Sequence, residues 1–285
     1  MKILVTGACG QLGKDLCAEL AKRGHTPIGA DIDNMDITDA CAVSAFFEST
    51  RPEAVIHCAA YTATDKAEDE PNVCRSINAH GTKNIALACK ELGIKMLYIS
   101  TDYVFNGCGE VPFLTDDPAA PLSVYGKTKY EGECVVKELL EQYFIVRISW
   151  VFGIHGKNFV RTMLRLADER TELSVVNDQI GSPTYTVDLS VLLADMIVTD
   201  KYGTYHATNE GFCSWYDFAC EIFRLSGKNV TVHPVTSDQF PAKIKRPTNS
   251  RLDKSELDKN GFSRLPAWQD ALARFLDELK GAENE

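Results

Sequence analysis

Three glycines at three-residue spacing, Gly7, Gly10 and Gly13, follow directly on the apolar run Lys2–Thr6 and lead into an amphipathic stretch that opens at Gln11-Leu12. A strand that turns through glycine into a helix brings its backbone close to whatever lies above the turn. It also presents free N–H groups and the positive end of the helix dipole. A dinucleotide pyrophosphate is the ligand that most often exploits this arrangement. The spacing G-x-x-G-x-x-G is one residue longer than the commonest fingerprint, and a plain glycine-rich turn is the competing reading. The position of the turn, at the first strand-to-helix junction, favours the cofactor reading, with Gly7, Gly10, Gln11, Leu12 and Gly13 around the phosphates.

The pattern continues as alternating strands and helices. Strands are expected over 2–6, 26–31, 54–58, 95–101 and 144–149, and helices over 11–23, 39–49, 72–92 and 125–142. Such alternation, with strands nearly continuous in apolar residues, implies a parallel sheet covered by helices on both faces. The fold class is therefore α/β, a doubly wound parallel sheet of Rossmann type with a smaller C-terminal α/β substrate lobe. Beyond Gly153 the elements shorten, and Pro183, Pro234, Pro241, Pro247 and Pro266 interrupt them. This places a nucleotide domain at 1–153 and the substrate lobe at 154–285, with a helix near 184–200 packing back on the first domain. The polar end, Gly281–Glu285, is expected to fray.

The 285 residues carry a formal net charge of -10, which argues against nucleic acid as a partner. No apolar run is long enough to span a bilayer, and the N-terminal run reads as a strand, not a secretory signal. Ten cysteines occur without a single C-x-x-C pair. They read as reduced thiols packed as small hydrophobes, pointing to a cytoplasmic protein.

The ends of the strands carry the rest of the argument. Asp31, closing the second strand, is placed to accept hydrogen bonds from ribose hydroxyls and would repel a 2′-phosphate, favouring NADH. Asp36 and Ile37 are placed to reach the adenine. Small residues after the third strand, within Cys58-Ala59-Ala60-Tyr61-Thr62, leave room for the cofactor. The fourth strand ends at Thr101-Asp102, and Tyr125-Gly126-Lys127-Thr128-Lys129 then opens a helix. Residues four apart share a helix face, so Tyr125 and Lys129 point to one place. An adjacent ammonium would lower the phenol pKa and make it a usable proton donor, and the Thr101 hydroxyl would hold a substrate carbonyl. This is the only Y-x-x-x-K in the chain. Trp150, just past the fifth strand, could stack on a sugar face. Lys243, Lys245, Arg246 and Arg251, with no acid among them, form a candidate diphosphate clamp.

Together with the segments Ile99–Phe105, Arg147–Gly153, Asn177–Thr184 and Arg246–Leu252, these motifs resemble the extended short-chain dehydrogenase/reductases over most of the chain. The resemblance implies reduction, by NADPH or NADH, of the C4 ketone of dTDP-4-dehydro-L-rhamnose to dTDP-L-rhamnose, for polysaccharide biosynthesis. It also implies that Gly10, Gln11, Asp31, Asp36, Ile37, Ala60, Tyr61, Thr62, Tyr125 and Lys129 hold the cofactor, and that Thr101, Asp102 and Trp150 touch the sugar. Because the family accepts NADPH as well as NADH, it stands in tension with the reading of Asp31. Some members are dimers bridged by Mg²⁺. Asp15 is the one candidate position for that here, with no full set of partners, so no metal is expected and monomer or homodimer stays open. A dehydratase or epimerase on the same fold is one alternative, although the dehydratases follow the Thr with Asp-Glu and Asp102 is followed here by Tyr103. A regulatory subunit of the methionine adenosyltransferase type, which binds a partner and does no chemistry, is another.

Overall fold

The computed structural model describes residues 1–239 and 243–282. Pro241 and the last three residues of the expected frayed tail, 283–285, lie outside the described residues. Gly281 and Ala282, expected to fray, instead close the helix Trp268–Ala282. That helix buries Leu272, Phe275, Leu276 and Leu279 along one stripe, which holds its last turns in place.

Five strands in chain order, β1 (Lys2–Thr6), β2 (Thr26–Ala30), β3 (Ala54–His57), β4 (Lys95–Thr101) and β5 (Tyr143–Ile148), pair with the strand Gly203–His206 into one six-stranded sheet. The order is β2-β1-β3-β4-β5 with Gly203–His206 at the edge, and every pairing is parallel. Helices cover both faces. On one, Leu12, Leu16 and Leu20 of α1 (Gln11–Lys22) meet Leu189, Leu193 and Ile197 of the helix Thr186–Ile197 over the sheet. On the other, Val43 and Phe47 of α2 (Ala40–Thr50) join Ile85 and Cys89 of the helix Thr82–Leu92. The chain crosses from one side of β1 to the other between β2 and β3. Ligands of open α/β sheets bind at such a switch point, outside the carboxyl ends of the strands.

The second half of the chain contributes to both regions. Its helix Thr186–Ile197 and its edge strand belong to the large sheet. A separate apolar cluster, including Phe152, Val160, Phe218, Trp268 and Phe275, unites the helices Phe159–Glu169, Trp215–Ser226 and Trp268–Ala282.

The helix expected over 72–92 runs without interruption from Pro71 to Leu92, with a π-helical turn at Ser76–Gly81 inside it. Two contacts coincide with the π-helical turn. The Asn78 side chain holds the backbone of Tyr61 from both sides, accepting from its N–H at 2.8 Å and donating to its carbonyl at 3.2 Å. Gly81 presses against Ile37, where a Cβ would come within 2.7 Å of the isoleucine side chain. A single π-helical turn inside an α-helix often marks such contacts with neighbouring segments.

Candidate active site

A crevice of about 920 Å³ runs across the carboxyl ends of the strands. Its glycine-turn region is built by contact, not by glycine flexibility alone. Gly7 has φ +67°, and a Cβ there would lie 2.8 Å from the Ala59 nitrogen. A Cβ on Gly13 would lie 2.2 Å from the Gly7 carbonyl oxygen, so α1 approaches β1 only because both positions lack side chains. The Asp31 carboxylate ties the end of β2 to this turn, accepting from the Cys9 N–H and the Ile32 N–H, each at 2.9 Å. The segment after β5 closes over the turn from the other side, where Asn158 donates to the Gln11 side chain at 2.8 Å.

The reactive end begins where Ser123 caps the helix Val124–Leu139, its hydroxyl accepting from the Gly126 N–H at 3.1 Å. This sets Tyr125 and Lys129 in the first turns, one above the other. Lys129 is buried, and its ammonium donates to the Ile99 carbonyl at 2.7 Å and lies 4.1 Å from the centre of the Tyr98 ring. Burial depresses its pKa to about 7, against the opposing pull of Glu133, Cys58 and Cys74. Thr101 donates to Asp102 at 3.0 Å. Burial pushes the Asp102 carboxyl up to about 6 despite hydrogen bonds from Ser250 and Thr101, and one of its oxygens is buried without a partner.

The expectation that Lys129 lowers the Tyr125 pKa is not met. Burial raises the phenol above its ordinary value; the nearby Thr101 hydroxyl works the other way, and Asp102 adds to the rise. The ammonium is engaged with the Ile99 carbonyl and the Tyr98 ring. Tyr125 is therefore fully protonated at neutral pH.

Lys129 gives the fold a pH dependence. From about pH 7 up to the ordinary lysine value of 10.5, an unfolded chain keeps a proton at this position that the folded protein has released. Stability then rises with pH, by at most about 1.4 kcal/mol per unit. Buried Cys58, pushed up to about 12 from 9.0 by desolvation, opposes the trend only above its ordinary value. Urea denaturation at about pH 7 and about pH 8.5 should show a rise that Lys129→Met flattens; an unchanged slope would place the proton elsewhere.

Of the residues singled out by sequence, Gly7, Gly10, Gln11, Leu12, Gly13, Asp31, Asp36, Ile37, Ala60, Thr62, Thr101, Asp102, Tyr125, Lys129 and Trp150 all line this one crevice. Three do not. Tyr61 is turned away, its hydroxyl donating to Glu70 at 3.0 Å. Arg246 pairs with Asp65 at 3.0 Å, and Arg251 donates to Asn249 at 3.0 Å. The basic stretch lacks acids in sequence but meets them in space, since Lys243 also pairs with Asp69. The exposed cation that does line the crevice is Lys157, beside Gly156, and Trp215 lines it as well. Neither was singled out. Lys157 sits in a loop with no charge cluster to flag it, and Trp215 lies far along the chain from the strand ends. Asp15 lies 3.5 Å from His155, with one oxygen buried and unpartnered. Among the described residues, no group of three or more His, Cys, Asp or Glu is arranged to hold a metal ion.

The profile of the RmlD substrate binding domain family matches residues 1–280. The chain belongs to this family. A dTDP-4-dehydrorhamnose reductase of Streptomyces griseus is 42% identical over 286 residues, spanning 98% of this chain and 94% of that protein. A spore coat polysaccharide biosynthesis protein, SpsK, of Bacillus subtilis is 41% identical over 281 residues, spanning 99% of each. Among solved structures, the dTDP-4-dehydrorhamnose reductase of Bacillus anthracis, in complex with NADP, superposes with a TM-score of 0.95 at 46% identity, covering 97% of this chain and 99% of that one. Membership in the RmlD family thus extends over both the sheet and the C-terminal cluster. No helix among the described residues is long and apolar enough to cross a membrane.

Proposed function

We propose that this protein reduces the C4 ketone of dTDP-4-dehydro-L-rhamnose to dTDP-L-rhamnose at the expense of NADPH or NADH. The observation that carries the reading is the convergence of Thr101, Tyr125 and Lys129 on the same crevice as the glycine turn. Full-length likeness to named reductases, one of them in complex with NADP, supplies the substrate and the cofactor.

The residues present fit a dinucleotide. Gly7 and Gly13 leave a cradle that a Cβ would fill, the N-terminus of α1 faces it, and Asp31, Asp36 and Ile37 line the far end. When bound, the reduced nicotinamide supplies hydride. Lys129, which lines the crevice beside Tyr125, would hold the ribose next to the nicotinamide ring. Thr101 would turn its one hydroxyl proton from Asp102 to the C4 oxygen and hold it in place. Tyr125, kept protonated by burial, gives its Oη proton to that oxygen as negative charge develops there. Lys157, exposed on the crevice, would offset the charge of a diphosphate held at the turn in a chain of net charge -10.

An absorbance assay of NADPH and NADH oxidation against dTDP-4-dehydro-L-rhamnose tests the reading. One mole of nicotinamide should be oxidised per mole of ketone reduced. A dehydratase or epimerase would turn over with no net oxidation, and no activity with either cofactor would sink the assignment. In the same assay, Lys157→Gln is expected to raise the KM for NADPH roughly tenfold, as one charged hydrogen bond to a phosphate is lost. The KM for the sugar nucleotide should stay put; a change there alone would assign Lys157 to the substrate diphosphate.

A further inference from the structure

The crevice crosses the strand ends in sheet order. Asp31 follows β2, the glycine turn follows β1, Ala60 and Thr62 follow β3, and Thr101 follows β4. A dinucleotide reading from β2 to β4 leaves the region beyond β5 for the second ligand. Trp150 occupies it, with φ +50°, a left-handed conformation rare for a bulky side chain. Strain of this kind persists only where surroundings over-determine it. Here they do. The Trp150 carbonyl accepts from the Thr184 N–H at 3.1 Å, and the preceding Ser149 carbonyl accepts from the Thr184 hydroxyl at 2.6 Å. The indole lies against Gly181, where a Cβ would come within 2.9 Å of it.

The remaining constraint comes from the C-terminal cluster. Trp215 stacks on Trp150 with ring centres 3.7 Å apart and planes 15° from parallel. Trp215 is itself fixed at both ends. It begins the helix Trp215–Ser226, whose capping box joins Ser214 and Asp217. The strand Cys213–Ser214 just before it pairs with Ile180–Gly181, the segment that Trp150 rests on. Phe159 backs its ring with centres 4.6 Å apart. Both indoles are half-buried and both line the crevice.

We infer that Trp215 is a positioning residue for the sugar nucleotide: by stacking on Trp150 it fixes the plane of that indole at the substrate end of the crevice, so that substrate affinity depends on a residue of the C-terminal cluster. This rests on the reductase reading. Stacked indoles so close couple their electronic transitions, and the pair gives an exciton couplet in far-ultraviolet circular dichroism. The chain's third tryptophan, Trp268, is buried away from the crevice against Phe218 and leaves that signal to the pair.

The test uses the whole chain with dTDP-L-rhamnose and NADPH as separately titrated probes. Trp215→Leu, which keeps apolar volume without a flat ring, should abolish the couplet, weaken dTDP-L-rhamnose binding at least tenfold and leave NADPH affinity within twofold. Trp215→Phe should restore most of the sugar-nucleotide affinity. Equal loss for both ligands, unchanged sugar-nucleotide affinity in Trp215→Leu, or failure of Trp215→Phe to restore binding would each overturn the inference. If the wild-type protein itself binds no dTDP-L-rhamnose, the reductase reading fails. If it binds and turns over but ignores the loss of Trp215, only the inference does.

Discussion

Tyr125→Phe is expected to lower kcat by about 10²–10⁴-fold, the usual contribution of one positioned general acid. The substitution removes a single oxygen from a ring that packs edge-on against Tyr103, with centres 5.5 Å apart, so the local fold should be unaffected. NADPH affinity, read by fluorescence titration, should be unchanged within experimental scatter. Burial holds the phenol above its ordinary pKa, so the resting enzyme carries the proton that reduction consumes. The rate should not rise with pH in the way a phenolate base would require. Were Tyr125→Phe to retain wild-type turnover, the donor would have to be another group that lines the crevice. Asp102 would stand first, its carboxyl pushed up to about 6 by burial and linked to Thr101.

The largest expected loss of stability follows from Glu133. It lies one helical turn after Lys129 and is fully buried, and its two oxygens accept from Arg147 of β5 at 2.8 and 2.7 Å. The guanidinium also donates to the Thr115 carbonyl at 3.0 Å and lies 5.0 Å from the centre of the Phe105 ring. Glu133→Ala leaves a buried cation with no counter-charge, which should cost about 3–5 kcal/mol. Against a total of about 5–15 kcal/mol for a typical domain, this brings the fold close to failure. Equilibrium urea denaturation reads the loss. Glu133→Leu combined with Arg147→Met should recover most of it, since a pair of charges replaced by apolar groups of similar volume is often neutral. If the double variant is no better than Glu133→Ala, packing and not the uncompensated charge sets the cost. The same change withdraws the carboxylate that supports the Lys129 ammonium, so any active fraction should show its lysine titrating lower still.

Much of this protein was legible along the chain because the relevant signals are local. The glycine spacing, the alternation of apolar runs with amphipathic ones, and a phenol and an ammonium one helical turn apart each depend on neighbours within a few residues. The sheet strands accordingly lie within a residue or so of their expected bounds, and β1 and β4 coincide with them. What failed was non-local. The π-helical turn inside the helix over 72–92 was not legible, since it lies where Asn78 reaches Tyr61 and Gly81 meets Ile37, contacts between segments that no periodicity registers. The basic run at 243–251 looked unpaired because Asp65 and Asp69, which meet it, are far away in sequence. The direction of the Tyr125 pKa shift differs from expectation for a related reason. Spacing gives the proximity of Lys129 but not the burial of both groups, and desolvation outweighs the attraction between neighbours when water is excluded.

The sequence by itself determined the parallel sheet, the glycine turn and the placing of a phenol and an ammonium on one helix face after a hydroxyl-ended strand, because those follow from short-range backbone and helix geometry. Only the tertiary structure decided which cation faces the crevice, how its groups titrate, and that Trp215 meets Trp150. Those depend on which distant segments the collapsed core brings together, and on how much water it shuts out when it does.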